Sequence, residues 1–175
     1  EGPVQMGGTL TAAPETTWVL VARMATPAVD QAGPGLVDPD GYRHCYTRTP
    51  TGALVAAANL VAMGSVPELA DRLATDGMLP GPLRDRVLAS PEPGSSAPTS
   101  SQLRGFRMVS YDGETAVVDL GLQAANGGYG SLMITLVWHE GDWRYGVRGE
   151  GAGQELDVTI SWPPTLTGYI YWAGV

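Results

Sequence analysis

The sequence predicts an α+β domain in which N-terminal helices pack against a curved antiparallel sheet. Residues 50–63 are apolar nearly all round and carry helix signals at both ends. Five segments after residue 103 alternate apolar and polar side chains with period two. Helical periodicity comes first and strand periodicity second, without interleaving, which separates α+β from parallel α/β folds.

The 175 residues suit one domain, and 43% hydrophobic against 16% charged residues describes a folding chain with a sparsely charged surface. A net charge of -8 excludes nucleic acid as a partner, because phosphate binding needs a basic stripe that releases counterions. The closest arginine pairs, Arg84 with Arg86 and Arg104 with Arg107, read as solvated faces. All ten basic residues are arginine and none is lysine, which together with abundant Ala, Gly, Val and Pro points to a GC-rich bacterial genome. Cys45 is the only cysteine, so no intrachain disulfide can form. No run reaches the ~18 apolar residues of a membrane span, and the first residues lack a basic-then-apolar signal pattern. Any membrane attachment is therefore expected through a segment upstream of this chain.

Residues 1–15 mix Gly, Pro and Thr without periodicity and read as a loose arm; 16–175 read as the single domain. Thr17 to Arg23 (TWVLVAR) is β-rich and forms one expected strand, while the prolines and glycines of Met24 to Gly41 indicate an irregular loop. Thr49-Pro50 starts a helix, with Thr as N-cap and Pro at the first helical position, and the helix should run to Met63 and stop at Gly64. Only Asn59 is polar between Ala53 and Met63, so this helix is expected to be buried at the centre of the core. Ser65-Val66-Pro67-Glu68 fits a capping box opening a second helix to about Leu73, and Pro82 to Ala89 suits a third. Residues 90–101 (SPEPGSSAPTSS) offer no apolar side chain larger than Ala or Pro and are expected to form a flexible surface loop.

In the back half, Phe106 and Met108 share one face. Ala116, Val118, Leu120 and Leu122 share another, as do Leu132, Ile134, Leu136 and Trp138; then Trp143, Tyr145 and Val147; then Leu156, Val158, Ile160 and Trp162. Five such strands in succession predict an antiparallel meander with one buried face. A two-residue Glu140-Gly141 turn sets Trp138 opposite Trp143, Leu136 opposite Tyr145 and Ile134 opposite Val147, all on the apolar side. A three-residue turn ending on Gly113 is expected before Ala116, placing Val118 opposite Phe106. Helices followed by a bent meander resemble the cone-shaped, cystatin-like architecture typified by nuclear transport factor 2.

The residues offer little chemistry. His44-Cys45 is the only nucleophile-like pair, and neighbours on an extended chain point to opposite faces, so the two are not expected to share a proton. His139, Glu140 and Asp142 fall in a hairpin turn, where polar residues are ordinary. Asp119 and Asp157 interrupt strands opposite the apolar set and read as solvent-facing, edge-protecting positions rather than an acid–base pair. Two histidines and one cysteine are a thin supply for zinc. Gly127, Gly128 and Gly130 precede no helix and include no lysine, so they turn a hairpin and do not cradle phosphate. No catalytic residue, metal site or cofactor is expected. The tail Tyr169-Ile170-Tyr171-Trp172 is the one aromatic cluster outside the alternating core, and Tyr169, Tyr171 and Trp172 are the candidate partner contacts.

Several motifs occur in a telling order: Trp18, Pro27 and Gly33-Pro34; Gly41-Tyr42 and His44; Thr49-Pro50-Thr51-Gly52-Ala53-Leu54 with Ala56-Ala57; Gly105-Phe106; Val109-Ser110-Tyr111; Ala116-Val117-Val118; Gly141-Asp142-Trp143; and Gly168-Tyr169 with Trp172. Together they resemble an actinobacterial domain of unknown function found in proteins of integrative, conjugative and phage-like elements. In that family the run tyrosine-histidine-threonine-proline is compact, whereas here Cys45-Tyr46-Thr47-Arg48 separates His44 from Thr49. The resemblance implies a membrane-anchored or secreted accessory protein, its cone similar to the self-associating extracytoplasmic domains of type IV secretion scaffolds. It supplies no catalytic residues. The expected function is thus a non-enzymatic, extracytoplasmic assembly or interaction domain of a conjugation or secretion apparatus, with protein partners or self-association. The alternatives are a small-ligand binder or enzyme using an apolar cone cavity, and a surface-displayed or virion structural protein.

Overall fold

A computed structural model describes residues 2–90 and 101–174. Most of the expected loop 90–101 lies outside the described residues. The described residues fold as α+β, with three α-helices and a mostly antiparallel sheet.

The first helix, α1 (Pro50–Met63), has the predicted limits. Thr49 is extended and its hydroxyl accepts the Gly52 amide at 3.0 Å, while Pro50 sits where its missing N–H has no partner to lose. Every residue of α1 except Thr51 is buried. Leu54, Leu60 and Met63 each gain about 2 kcal/mol from leaving water. The one polar side chain, Asn59, donates to the carbonyls of Val55 (2.8 Å) and Pro27 (2.9 Å), so it ties the helix to a neighbouring strand.

That strand was not expected. β1 (Thr17–Val21) forms an antiparallel hairpin with β2 (Met24–Ala28), in a stretch whose prolines and glycines suggested an irregular loop. Met24 through Pro27 are buried against α1, and Pro27 pairs with Trp18 where its lack of an N–H is tolerated. A second small hairpin, β3 (Leu36–Val37) with β4 (Arg43–His44), leads into α1. Beyond α1 the expected capping box does not form. Ser65 Oγ donates backwards to the Ala62 carbonyl at 2.7 Å, so it is not free to cap forwards. A 3-10 turn over Pro67–Leu69 follows, then α2 (Ala70–Gly77), which starts later and ends later than expected. The third helix, α3 (Pro82–Ala89), matches its predicted span.

The main sheet comprises β5 (Gln102–Tyr111), β6 (Thr115–Gln123), β7 (Tyr129–His139), β8 (Asp142–Tyr145), β11 (Val158–Ser161) and β12 (Ile170–Tyr171), with a separate pair of β9 (Val147–Arg148) and β10 (Glu155–Leu156). Its order is β11-β7-β6-β5-β12, and β8 also pairs with β7. Glu140 and Gly141 both take positive φ, the geometry of a twisted two-residue hairpin, and Trp138 meets Trp143 and Leu136 meets Tyr145 as predicted. The third expected pair fails: Ile134 lies opposite Val158, because β8 ends at Tyr145 and β11 takes over the same edge of β7. The five expected strands are therefore not successive neighbours. β8 and β11 divide one edge between them, joined where Thr135 accepts from Gly146 (2.8 Å) and donates to Asp157 (3.0 Å).

The β5–β6 turn also differs. Asp112 Oδ1 accepts the amides of Glu114 (2.9 Å) and Thr115 (2.7 Å), which sets Tyr111 opposite Ala116. A bulge at Val109 then takes up one residue, so Val118 meets Met108 and not Phe106. Leu103, Phe106, Ala116, Val118, Leu120, Ile134, Leu136 and Trp143 are nonetheless all buried in the core cluster that contains α1. Ile160 and Trp162, expected on that buried face, are 61% and 69% exposed.

Two measurements test this packing. Helix propensity alone favours Ala over Gly at position 52 by about 1 kcal/mol. A Cβ on Gly52 would overlap the Thr47 carbonyl, so Gly52→Ala is expected to lower stability by about 1–3 kcal/mol in urea unfolding. The second concerns Tyr42, Tyr46 and Tyr145, each under a tenth exposed, whose phenol pKa values burial pushes well above the ordinary 10. The unfolded chain loses these protons first, so the stabilisation is complete below about pH 10 and declines above it. Each tyrosine contributes up to about 1.4 kcal/mol per pH unit. Melting temperature should fall steeply above about pH 10; a flat profile to pH 11 would contradict the burial.

Candidate functional site

The β3–β4 hairpin brings together side chains that a straight strand would separate. Its turn is closed by Asp38 N donating to Tyr42 O (2.9 Å) and Gly41 N to Asp38 O (2.8 Å), which places Asp38 beside His44. Asp38 Oδ1 lies 3.1 Å from His44 Nε2, and Asp38 Oδ2 accepts from Arg72 at 2.8 Å. The His44 and Arg72 hydrogen bonds hold the Asp38 carboxyl below its usual pKa. Next along the chain, Cys45 has φ +65°, a left-handed backbone rare for a residue with a side chain. That turn swings its thiol back, and Sγ lies 3.2 Å from His44 Nδ1. The expectation that His44 and Cys45 cannot share a proton is thereby overturned, because the chain is not extended at Cys45.

Asp142, from the β7–β8 hairpin, holds this turn from beneath. Its carboxylate accepts the amides of Cys45 (2.7 Å), Tyr46 (3.1 Å) and Trp143 (2.9 Å), and Trp143 Nε1 donates to Thr47 O at 2.9 Å. Burial raises the Asp142 pKa while those amides lower it. It is thus more than an ordinary turn residue. Partial burial, then the charges of Asp142 and Asp38, push the Cys45 thiol pKa up, so its proton stays on at rest. His139 ends β7, 3.6 Å from Glu140 and cross-strand from Asp142. Among the described residues, no group of three His, Cys, Asp or Glu side chains could hold a metal ion.

The C-terminal segment crosses the other face of the sheet. Gly105 and Gly121 are cross-strand partners, and neither has room for a Cβ: one would meet Ile170 O at 2.8 Å, the other the Leu166 side chain at 2.9 Å. Beside this seat, Asp119 is 2% exposed, not solvent-facing as its alternation suggested, because residues 166–171 cover it. It accepts from Ser131 Oγ (2.6 Å), Arg107 Nη2 (2.5 Å) and the Tyr169 hydroxyl (2.8 Å), and Arg107 lies over the Tyr169 ring at 4.3 Å. Asp157, by contrast, is half-buried and 3.8 Å from Arg148.

Of the three candidate contacts in the tail, Tyr169 belongs to this latch. Trp172 is 3% exposed, packed obliquely against Trp18 (5.2 Å) and edge-on to Phe106 (5.4 Å), with Nε1 donating to Thr16 Oγ1, so its ring is part of the core. Tyr171 alone faces solvent, at 73% exposure. The larger apolar surface is one the alternation concealed: Ile160 on the outer strand β11 and Trp162 just past its end, with the Trp162 ring against Gly130.

Fold and site together define an α+β domain with a latched tail segment, a hydrogen-bonded thiol corner and an exposed apolar sheet edge at β11. A family model described as Domain of unknown function (DUF8175) matches residues 2–170, and the chain belongs to that family. No curated protein and no solved structure matches the chain.

The latch makes a direct prediction. Tyr169→Phe removes the hydroxyl from Asp119 and Ser131 and is expected to cost about 1.5–3 kcal/mol, since the acceptor is charged. In hydrogen exchange the Trp172 amide, bonded to Arg104 O, should lose protection first. Unchanged protection there would show that the tail is held by Trp172 alone.

Proposed function

We propose that this domain is a non-enzymatic assembly module acting outside the cytoplasm, an accessory or scaffold component of an actinobacterial conjugation or secretion apparatus, and that it self-associates through the outer edge of β11. The observation that carries this reading is that edge. Among the described residues no strand pairs with the far side of Val158–Ser161, and Thr159, Ile160 and Ser161 are exposed. Unpaired strand edges attract other strands, and proteins ordinarily blunt them with charge or proline. From Val158 to Trp162 there is neither; Pro163 and Pro164 follow and limit the available edge to those five residues.

Ile160 and Trp162 point to the same face beside this edge, giving a pairing strand both backbone hydrogen bonds and apolar anchors. A second copy is the favoured occupant. An antiparallel edge is self-complementary about a two-fold axis, and a stretch without charge lets two chains of net charge -8 approach where the rest of the surface repels. The resemblance to domains of conjugative, integrative and phage-like elements, with their cone-shaped, nuclear transport factor 2-like fold, supports the setting in an envelope apparatus.

Sedimentation or light scattering over a concentration series tests the reading. The wild-type chain should self-associate, and Ile160→Asp combined with Trp162→Ser should weaken association at least ~30-fold, the effect of losing a hot-spot residue. A wild-type chain that stays strictly monomeric at high concentration would sink it.

A further inference from the structure

We infer that Cys45 is a base-assisted thiol that forms mixed disulfides with small disulfides, with His44 as the base and Asp38 as the residue that positions it. The relay is complete in atoms. An ionised Asp38 only accepts, so the hydrogen of His44 belongs on Nε2, 3.1 Å away. That leaves the Nδ1 lone pair facing Cys45 Sγ at 3.2 Å, where it takes the thiol hydrogen. Arg72 fixes Asp38 from the opposite side and lies over the Tyr42 ring at 4.8 Å, while Tyr42 packs 5.9 Å from the imidazole.

The sulfur is reachable. Cys45 is exposed and lines two neighbouring clefts, of about 650 Å³ and about 520 Å³. Asp30, Gln31 and Pro34 border the first; Arg48 and Trp138 border the second. Either has room for a small organic disulfide. This corner stands apart from the β11 edge and does not depend on the assembly reading.

The geometry also selects among thiol chemistries. Acyl transfer needs donors for a developing oxyanion, usually backbone amides next to the nucleophile. Here the amides of Cys45 and Tyr46 are both taken by Asp142, whose negative charge occupies the ground an oxyanion would need. Thiol–disulfide exchange has no such requirement: it needs a thiolate, an accessible sulfur and a leaving thiol. In the step, His44 Nδ1 takes the Sγ proton and the thiolate attacks one sulfur of the disulfide. The S–S bond of the reagent breaks as the new one to Cys45 forms, and the departing thiolate takes the proton from His44. Cys45 is oxidised to the mixed disulfide while one half of the reagent is reduced to a thiol. With no second cysteine in the chain, the adduct persists until an external thiol attacks it. The site therefore serves reversible covalent attachment and not turnover.

The groups facing Cys45 set its preference. Asp38 and Asp142 lie against the turn, Asp30 lines the first cleft, and Arg48 at the second is already paired with Glu114. Neutral or cationic disulfides should thus react faster than dianionic ones.

The test is the rate at which 2-hydroxyethyl disulfide, a neutral probe, adds to Cys45, followed by intact mass with Cys45→Ser as the blank. Near pH 7 the folded wild type should react on the order of 10²-fold faster than folded His44→Gln, the lower range for a positioned base. Asp38→Asn should fall between them. The wild-type pH–rate profile should also differ from that of His44→Gln, which keeps only the thiol's own rise toward its raised pKa. Denaturant-unfolded wild type provides a reference that needs no variant: the folded protein should outpace it near pH 7. Equal rates and profiles for wild type and His44→Gln, or a folded wild type slower than its unfolded form, would overturn the inference.

Discussion

A helix with no polar face must be covered on every side, and that requirement organises the molecule. Leu54, Val55, Ala58, Leu60, Val61 and Ala62 point in different directions around α1, yet each is buried. The sheet strands β5, β6 and β7 cover one side, and α2 and the β3–β4 hairpin take others. The remaining side needs a partner that arrives before α1 in sequence, and the β1–β2 hairpin supplies it, held by the Asn59 bond to the Pro27 carbonyl. The helix thus recruits the front of the chain as well as the back, and the alanines along it permit backbones to approach closely.

The same demand reaches the thiol corner. The segment from Arg43 to Thr49 must deliver the chain to the capped start of α1 while passing the β7–β8 hairpin. Trp143, buried against Tyr111 and Trp138, grips Thr47 O, and Asp142 grips the amides of Cys45 and Tyr46. A left-handed Cys45 is unfavourable in isolation, and these bonds from a rigid hairpin over-determine it. The core therefore sets the conformation that points the sulfur at His44, and the arrangement is as firm as the tryptophan beneath it.

The sequence made some of this legible and hid the rest for identifiable reasons. α1 could be read because Thr49, Pro50 and Gly64 bracket an apolar run, and the Trp138–Trp143 pair because a two-residue turn leaves one register. β2 was hidden by Pro27, whose ring suggests a loop until its Asn59-bonded carbonyl and its pairing with Trp18 are seen. Asp119 was misread because alternation marks the face opposite the core as solvent, and nothing local indicates that Leu166 and Tyr169 return to cover it. Ile160 and Trp162 failed in the reverse sense: their alternation is that of a buried strand, but β8 and β11 share one edge of β7, so β11 lies beyond the reach of α1. Cys45 beside His44 depended on a single backbone angle, which no periodicity reports.

These misreadings converge on the question of which way the sheet can grow. An open antiparallel sheet has two sides at which another strand can add. On the β5 side the latch of Tyr169, Asp119 and Arg107 lays down β12, only two residues long, and Trp172 carries it into the core beneath Trp18. On the β7 side, β8 is tied through Asp142 and Trp143 to the thiol corner, and what remains is the β11 stretch with its uncharged residues and two exposed apolar side chains. The glycine seat at Gly105 and Gly121 that lets the tail lie flat thus does more than anchor a terminus. By seating β12 against Gly105 and Phe106 it shortens the exposed β5 edge, which supports the proposal that strands add at β11.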